Sequence, residues 1–435
     1  MKHDTTLARL ILVVLSFAFV PKAVAITTLY VDDVNGHDSG NCTSPTTACK
    51  TIGHAVSLAS AGDSINVAAG TYTENLQIGI NLKLVGSKVG PTAVDGGGAG
   101  TVVAVTNSKA HVVISNFLIT NGAASSGGGI SNFGTLTLAY CIVTNNVANG
   151  STANGAGIAN YGKLTINNSS VSGNKAKGHN GSSGGGIAST EGVLTINRSV
   201  ISGNSTTVIS GGGGIIINGG TLTINRSTIS QNSSAVGGGI FAHGGTVTVS
   251  NTTFSANTAL NGGGINNEGL LMLNNSTFSG NKAVDEPGGA INNSGTVVIS
   301  NTTFSDNSAV SGGGIYNNGG AATIQNSIVA NSSSGGNCGG VVVSNGYNLS
   351  SDGTCNFKKS GDLNNTGPDL GPLKNNGGPT QTQALLPGSP AIDAGNPSGC
   401  VDGQGHLLKT DQRGKPRPDK EDTGGCDMGA YETQN

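Results

Sequence analysis

A couplet of two short elements recurs through the middle of this chain every 24 to 29 residues. The first element is Gly-Gly-x-Ile, as in Gly312-Gly313-Gly314-Ile315. The second ends in asparagine three residues after an apolar side chain, as in Phe304-Ser305-Asp306-Asn307. Between them lies a short run in which apolar and polar residues alternate, such as Leu222-Thr223-Ile224. Self-similarity at this spacing predicts a solenoid, a propeller or a similar repeat array.

The local pattern of each repeat selects among these architectures. Glycine is too frequent for helix interiors, and no 3.6-residue periodicity is present. A propeller blade needs about 40 residues or more. Three short period-2 segments, each ended by Gly, Asn or Ser, instead fit one turn of a parallel β-helix. We therefore predict an all-β fold: a right-handed parallel β-helix solenoid with a short N-terminal capping helix and an irregular C-terminal domain.

The two elements have different predicted roles in each turn. The isoleucines are expected to point inward and stack as core residues; they are Ile130, Ile158, Ile187, Ile215, Ile240, Ile265, Ile291 and Ile315. The asparagines are expected at corners, where they stack as a structural ladder and hydrogen-bond from turn to turn. This predicted ladder comprises Asn121, Asn146, Asn174, Asn204, Asn232, Asn257, Asn281, Asn307 and Asn331.

The first 25 residues have the pattern of a secretory signal peptide. Lys2 and Arg9 precede an apolar run from Leu10 to Val20, and Ala23-Val24-Ala25 provides a cleavage site. The run is too short to span a membrane comfortably, so we expect no transmembrane span after cleavage. Only 10% of residues are charged and the net charge is −2, which argues against a nucleic-acid partner.

Secretion makes disulfides plausible for the seven cysteines. Cys42 and Cys49 could close an N-terminal loop, Cys338 and Cys355 could close the last turn, and Cys400 and Cys426 both lie in the tail. Their connectivity is not determined by the sequence. Cys141 ends an apolar strand pattern and is interpreted as a small core residue.

Residues 26–95 are predicted to form the N-terminal cap and first turns. Leu29-Tyr30-Val31 is expected to be a strand, and Lys50 to Ser60 has helical potential that would cover the open end of the solenoid. Gly62 to Val67 and Gly70 to Glu74 then provide further strands. This stretch resembles the N-terminal start of the pectate-lyase-like right-handed β-helix superfamily, which implies the fold and says little about activity.

Residues 96–357 are predicted to form the β-helix repeats. Phe254 to Asn257, Phe278 to Asn281 and Phe304 to Asn307, with their Gly-Gly-x-Ile neighbours, resemble the repeat of polymorphic outer-membrane proteins. That resemblance implies a secreted, cell-surface or outer-membrane protein with an adhesin-like role. Insertions at Val147–Asn154, Lys175–Ser183 and Ser205–Ser210 would lie at one corner, either as a binding face or as tolerated surface loops.

Residues 358–435 break the repeat. Gly388-Ser389-Pro390-Ala391-Ile392-Asp393-Ala394-Gly395, Asp411-Gln412-Arg413-Gly414 and Asp427-Met428-Gly429-Ala430-Tyr431-Glu432 resemble a choice-of-anchor Q-like domain. The resemblance implies a C-terminal domain that caps or tethers a surface β-helix. Asp393 and Arg413 recur in that domain, and we expect them to form a structural ion pair.

The acidic residues decide between an enzyme and a binding protein. Lyases and glycoside hydrolases need clustered carboxylates, yet between Gly96 and Val284 the chain has no Asp, and its two Glu, Glu191 and Glu268, lie about three turns apart. Asp285, Glu286 and Asp306 form the single candidate Ca²⁺ site. Arg198 and Arg226 occupy equivalent repeat positions, either as solvated residues or as contacts for an anionic glycan. His111, His179 and His243 are isolated in sequence and are interpreted as surface residues.

These observations give a first functional hypothesis and an alternative. The hypothesis is a non-catalytic monomer without a cofactor, acting in adhesion or in contact with polysaccharide or other cell-envelope components. The alternative is a polysaccharide lyase or glycoside hydrolase acting on an acidic polysaccharide. A third class, a purely structural envelope component, would bind no glycan.

Overall fold

The computed structural model describes residues 26–150, 154–178, 182–207, 209–419 and 425–434, so the predicted signal peptide lies outside the described residues. Three strands form most turns, and every pairing between strands of successive turns is parallel. The predicted all-β parallel solenoid is confirmed. No helix within the described residues is long and apolar enough to cross a membrane.

Three long sheets run the length of the solenoid. Sheet 1 has 13 strands: Thr28–Val31, Ser64–Val67, Leu82–Gly86, His111–Ser115, Thr135–Ala139, Lys163–Asn167, Val193–Asn197, Thr221–Asn225, Thr246–Ser250, Leu270–Asn274, Thr296–Ser300, Ala321–Gln325 and Val343–Ser344. Sheet 2 has 12: Gly70–Thr73, Thr92–Asp95, Leu118–Thr120, Ile142–Thr144, Ser170–Ser172, Val200–Ser202, Thr228–Ser230, Thr253–Ser255, Thr277–Ser279, Thr303–Ser305, Ile328–Ala330 and Leu349–Ser350. Sheet 3 has 11: Leu76–Ile78, Val103–Val105, Ile130–Asn132, Ile158–Asn160, Ile187–Thr190, Ile215–Asn218, Ile240–His243, Ile265–Asn267, Ile291–Asn293, Ile315–Asn317 and Cys338–Gly339.

Short strands between sheets 2 and 3 arise where the repeats lengthen. Sheet 4 has four strands: Ala123–Ala124, Val147–Asn149, Lys175–Lys177 and Ser205–Thr206. Two further pairs are Ser182–Gly184 with Ser210–Gly212, and Thr258–Ala259 with Lys282–Ala283. The three insertions thus stack at one corner as predicted, although residues 151–153, 179–181 and 208 lie outside the described residues.

The core is a set of stacked apolar side chains. Ile130 pairs in register with Ile158, and the same register continues through all eight predicted isoleucines, each fully buried. On sheet 2 the ring centroids of Phe254 and Phe278 lie 4.5 Å apart, and those of Phe278 and Phe304 lie 5.0 Å apart. These separations match the spacing of paired strands, about 4.8 Å, so each ring packs on its equivalent in the next turn.

The N-terminal end of the solenoid is closed by the predicted helix, at Ile52–Leu58, after a short 3₁₀ turn at Pro45–Thr47. Thr51 caps the helix, and its side chain accepts a hydrogen bond from the backbone N–H of His54. Glu74, from the first full turn, accepts the N–H groups of Ile52 and Gly53 at 2.8 and 2.7 Å. A carboxylate at a helix N-terminus satisfies orphan donors and suits the helix dipole.

A buried asparagine ladder runs between sheets 2 and 3. From Asn146 to Asn281, each side-chain Nδ2 donates to the Oδ1 of the next turn at 2.9 to 3.0 Å, and that Oδ1 also accepts the backbone N–H of the preceding asparagine. The ladder comprises Asn146, Asn174, Asn204, Asn232, Asn257, Asn281 and Asn307. The predicted core and corner chemistry of the couplet is therefore present in seven turns.

Two of the nine predicted ladder residues lie elsewhere. Thr120 pairs with Thr144, which places Gly122, not Asn121, opposite Asn146. Ser305 pairs with Ala330, which places Ser332, not Asn331, opposite Asn307. Asn121 and Asn331 are exposed and have positive φ. The prediction was wrong there because the end turns are shifted by one residue relative to the apolar-x-x-Asn spacing.

The tail beyond residue 357 folds back over sheet 2. The outward hydroxyls of Thr253, Thr277 and Thr303 bond to the backbone oxygen of Gln381, the side chain of Gln412 and the backbone N–H of Ala430, respectively. These threonines are buried, and a second apolar cluster forms around Ile328, Leu385 and Met428. The tail therefore covers the later turns of sheet 2 and leaves the earlier turns open.

Loss of a ladder amide should destabilise the neighbouring turns. In Asn232→Ala, the N–H of Asn204 and the carbonyl of Ile201 lose their buried partners. Unsatisfied buried groups cost about 1–3 kcal/mol each, so we expect a loss of about 2–5 kcal/mol. Hydrogen exchange of the amides in those turns measures this loss of stability locally. A local measurement is needed because a long repeat array need not unfold in one step.

The matched control is Asn121→Gly, which removes an exposed asparagine one residue before the ladder position and retains a residue tolerant of positive φ. Its exchange rates should stay close to those of the unmodified protein. Equal destabilisation by both substitutions would contradict the ladder assignment.

Candidate functional site

The outward face of sheet 1 carries a column of threonines. Thr137, Thr165, Thr195, Thr223 and Thr248 lie opposite one another in successive strands. Their side chains point away from the core because residues alternate across a strand. All five are exposed or half-buried. The middle turns therefore present a flat row of hydroxyl groups, spaced by about 4.8 Å along the solenoid axis.

Beside this row runs the corner between sheets 1 and 2, where one residue per turn has positive φ. The residues of this corner column, with φ between 45° and 60°, are Asn116, Tyr140, Asn168, Arg198, Arg226, Asn251, Asn275, Asn301 and Asn326. The residue after each corner, as in Ser169, Ser199 and Ser227, is buried, and its hydroxyl accepts the N–H of its equivalent in the preceding turn. Buried hydroxyls therefore satisfy the backbone N–H groups on the inner side of this corner, and the side chain of each positive-φ residue points away from the core.

Three clefts follow this corner and share lining residues. The first, about 400 Å³, is lined by Tyr30, Asn66 and Lys88 among others. The next, about 550 Å³, shares Val85 and Lys88 with it and extends to Tyr140. The third, about 440 Å³, shares Ala139 with the second; it is lined also by Asn167, Asn168, Asn197, Arg198, Asn225 and Arg226. Together they make one groove, named here the sheet 1 groove, across eight consecutive strands.

The groove carries basic residues in two regions, one toward its N-terminal end and one at its C-terminal end. Lys83, Lys88, Arg198 and Arg226 line it, and the one carboxylate among its described lining residues is Asp32, at the N-terminal end. The Asp32 carboxylate accepts hydrogen bonds from Asn35 and Val34 of its own loop, and these hydrogen bonds lower its pKa. An anionic chain would therefore meet cations, amides and hydroxyls along most of the groove.

The groove ends where the tail crosses sheet 1. Gly403 donates its N–H to Asn274 Oδ1 at 3.2 Å, and Gln404 Nε2 lies 3.9 Å from the sulfur of Met272. In these covered turns Met272 and Val298 occupy the outward position held by threonine in the open turns. Between Thr248 and Met272 the outward residue thus changes from polar to apolar, as the tail begins to cover the sheet.

Three carboxylates of the tail, Asp411, Asp427 and Glu432, are buried in a structural network. Arg417 Nε lies 2.6 Å from Glu432 Oε2, with both side chains fully buried. Arg413 binds Asp411 at 2.7 Å and stacks on Tyr431, with its guanidinium carbon 3.6 Å from the ring centroid. Burial raises the pKa of Asp427, against the hydrogen bonds donated by Thr433 and Asp393. These groups hold the tail together and are not among the lining residues of the sheet 1 groove.

The expected pair of Asp393 and Arg413 is corrected by this network. Arg413 pairs with Asp411, whose Oδ1 also accepts the N–H groups of Arg413 and Lys415 in a tight turn. Asp393 instead has positive φ and donates its N–H to Asp427. The guanidinium is held by the nearer carboxylate, two residues away in the chain.

The two carboxylates of the middle turns, Glu191 and Glu268, lie apart from each other and outside the groove. Glu268 contacts His243, with Oε2 to Nδ1 at 2.6 Å, at the corner between sheets 3 and 1. Glu191 lies exposed at that corner next to Gly219 of the following turn. His111 is exposed, as predicted, and His179 lies outside the described residues.

The candidate Ca²⁺ site is not assembled in this structure. Asp306 accepts a hydrogen bond from Gln383 of the tail at 3.1 Å, whereas Glu286 lies in another loop near Asn261. Among the described residues, the one group of His, Cys, Asp and Glu with ligand atoms within 4.8 Å is Cys42, Cys49 and His54. Its two cysteines form a disulfide, so that group is not a metal site.

The cysteines form three disulfides and one free thiol. The pairs are Cys42–Cys49, Cys338–Cys355 and Cys400–Cys426, which close an N-terminal loop, the last turn and the tail. Cys141 is buried at the end of the serine column, and burial raises the pKa of its thiol to about 11. Cys141 therefore occupies a core position and remains a thiol at neutral pH.

Three features escaped the sequence analysis. The serine column behind the corner has a short sequence signal, a hydroxyl residue after the Asn or Arg that ends each sheet 1 segment from Asn168 to Asn326, as in Asn167-Asn168-Ser169. A second ladder links Asn132 to Asn160 and, in later turns, Asn267 through Asn293 to Asn317, each at 2.7 Å. The third feature is the return of the tail over sheets 1 and 2, for which the sequence has no local signal.

Comparisons with known proteins were made for the whole chain. No protein-family model matches it, and no curated protein matches it. Among solved structures, it is similar to the crystal structure of pectate lyase Pel9A, with a TM-score of 0.49 and 13% sequence identity over 94% of this chain and 98% of that one.

Removal of Arg417 should release the tail from sheet 2. Arg417→Met deletes the cation beside buried Glu432 and the hydrogen bond from Arg417 Nη1 to Asn275 Oδ1. Breaking one side of a buried ion pair costs about 3–5 kcal/mol. We expect amides between residues 401 and 417 to exchange faster, by the factor that this loss of free energy implies. Amide exchange in the turns before residue 230 should be unchanged.

Arg226→Met is the control for that substitution. It removes an arginine whose side chain makes no ion pair with the described residues and whose backbone N–H still bonds to Ser250 after the substitution. Its exchange pattern should match that of the unmodified protein. Unaltered exchange of the tail in Arg417→Met would show that the pair does not hold the tail in place.

Proposed function

We propose that this protein is a secreted or cell-surface β-solenoid that binds polysaccharide through the sheet 1 groove without cleaving it. The observation that carries the proposal is the composition of the groove. Basic, amide and hydroxyl side chains line most of it, and its one described carboxylate lies at the N-terminal end. These are groups that bind sugars and their acidic substituents.

The periodicity of the groove supports a polymeric ligand. Equivalent side chains recur at about 4.8 Å along the axis, so a chain with repeating polar groups can make the same contact on several turns. Repeated weak contacts add through effective concentration, which gives useful affinity without a deep pocket. A shallow groove along a rigid sheet suits this type of binding.

The arrangement of carboxylates supports binding over catalysis. A lyase needs acidic ligands for a cation together with a base, and a glycoside hydrolase needs two carboxyl groups within about 10 Å. In the described part of the chain, Asp411, Asp427 and Glu432 are buried in the tail network. Asp32, Asp33 and Glu74 lie near Tyr72 at the N-terminal end, where Asp32 accepts hydrogen bonds from its own loop and Glu74 binds the N-terminus of the helix. Glu268 is engaged with His243 and is not part of the groove.

A location outside the cytosol suits the covalent structure. Three disulfides cross-link the chain, one at each end of the solenoid and one within the tail. Disulfides persist in oxidising compartments and at cell surfaces. An adhesin-like role at a cell surface follows if the bound polysaccharide belongs to another surface.

Binding and turnover can be measured on the same polymers. The purified protein would be incubated with polygalacturonate, alginate, dextran sulfate and neutral dextran, with binding followed by affinity electrophoresis. Release of unsaturated products and of new reducing ends would be followed in parallel, with and without added Ca²⁺. We expect retardation by at least one charged polymer and no products.

Each contrary result has a definite meaning. Product release that scales with protein concentration would establish a lyase or hydrolase and overturn the non-catalytic proposal. Absence of retardation by every polymer would overturn polysaccharide binding and favour a structural envelope component.

A further inference from the structure

We infer that Arg198 and Arg226, with the asparagines beside them, form a binding site for the acidic groups of a polysaccharide whose chain lies along the sheet 1 groove, parallel to the solenoid axis. This inference rests on the proposed function and specifies its ligand as anionic. The ligand chemistry is a carboxylate or sulfate carried on a sugar polymer.

The two arginines are adjacent like charges without a protein counter-ion. Asn197 pairs with Asn225, so Arg198 and Arg226 are equivalent residues on neighbouring turns. Among the described residues, neither guanidinium takes part in an ion pair or a side-chain hydrogen bond. Like charges opposite each other on paired strands are destabilising. An anion bound between them removes that repulsion, and a guanidinium can bind it through two parallel N–H donors.

The backbone at this corner strengthens the inference. Arg198 and Arg226 have φ of 47° and 51°, in the left-handed region that favours Gly and Asn. Where the tail covers the corner, this position is always Asn, and Asn275 and Asn301 donate to the tail carbonyls of Thr410 and Val401. In the open turns the column includes Tyr140, Arg198 and Arg226 instead. Strained positions occupied by unfavoured residues are frequent at functional sites.

The neighbouring asparagines are arranged as a second row of polar groups. Asn197 Nδ2 donates to Asn167 Oδ1 at 3.0 Å, and Asn225 Oδ1 accepts from Asn251 Nδ2 at 3.0 Å. This leaves the Nδ2 group of Asn225 without an acceptor among the described residues, on a residue that lines the cleft. The amide donor and the two guanidinium groups thus lie on the same short stretch of the groove.

The rest of the groove sets the direction of the ligand. From the strand of Lys83 to that of Arg226 there are five steps across sheet 1, or about 24 Å at 4.8 Å each. Tyr140 lies between these two basic regions, with 64% of its surface exposed. A ring so exposed offers a face on which a sugar can stack. A polymer along the axis reaches both basic regions, whereas one crossing the sheet would reach a single turn.

The test compares Arg198→Gln/Arg226→Gln with Lys175→Gln/Lys177→Gln. Both double substitutions remove two positive charges, and Lys175 and Lys177 are exposed on sheet 4 outside the groove. Dissociation constants would be measured by affinity electrophoresis with polygalacturonate, dextran sulfate and neutral dextran at low and moderate salt. Hydrogen bonds to charged groups contribute about 1.5–3 kcal/mol each, so the loss of two should weaken binding by the arginine variant at least about 100-fold.

The outcomes separate this inference from the proposed function. A selective loss in the arginine variant, with weaker salt dependence, supports the site; the polymer affected identifies carboxylate or sulfate as the group bound. Equal affinities of both variants for a charged polymer would overturn the site but leave polysaccharide binding intact. Preference of the unmodified protein for neutral dextran would overturn the anionic ligand, and no binding to any polymer would overturn both proposals.

Discussion

The structure depends on the stacking of like residues on like at the spacing of paired β-strands. Parallel pairing in one register places Ile on Ile, Phe on Phe and Asn on Asn. Buried asparagines satisfy each other and the backbone at the corner between sheets 2 and 3, and buried hydroxyls do the same between sheets 1 and 2. Because unsatisfied polar groups are costly in a core, these ladders fix where each turn bends and therefore which side chains face outward.

The same stacking turns single surface residues into periodic surfaces. A threonine in each of five middle turns becomes a row of hydroxyls on sheet 1, and the corner residues become a column beside it. The tail then divides these surfaces into a covered and an open part. Where it packs, the outward residues are Thr253, Thr277 and Met272, which contact the tail; where it does not, Arg198 and Arg226 face solvent. The boundary of the candidate site is thus set by a segment remote in sequence.

The sequence predicted much of the fold because a repeat encodes it many times over. The eight isoleucines, the capping helix and seven ladder asparagines follow from spacing and residue type. Asn121 and Asn331 were misplaced since a one-residue shift in the end turns changes register without changing the local motif. The arginines were found as equivalent residues, but their place in a continuous groove depends on Lys83, Tyr140 and Asn225, which no local motif connects.

The sequence by itself determined the solenoid, its core and most of its corner ladder, since those depend on contacts between equivalent residues of adjacent repeats. Only the tertiary structure decided which faces remain open. It also decided that Arg413 pairs with Asp411 instead of Asp393, and that the pair of Arg417 and Glu432 holds the tail in place. The physical reason is that these contacts join segments without a shared period. Thr277 and Gln412, for example, are 135 residues apart and meet through burial and hydrogen-bond geometry that a repeat pattern does not encode.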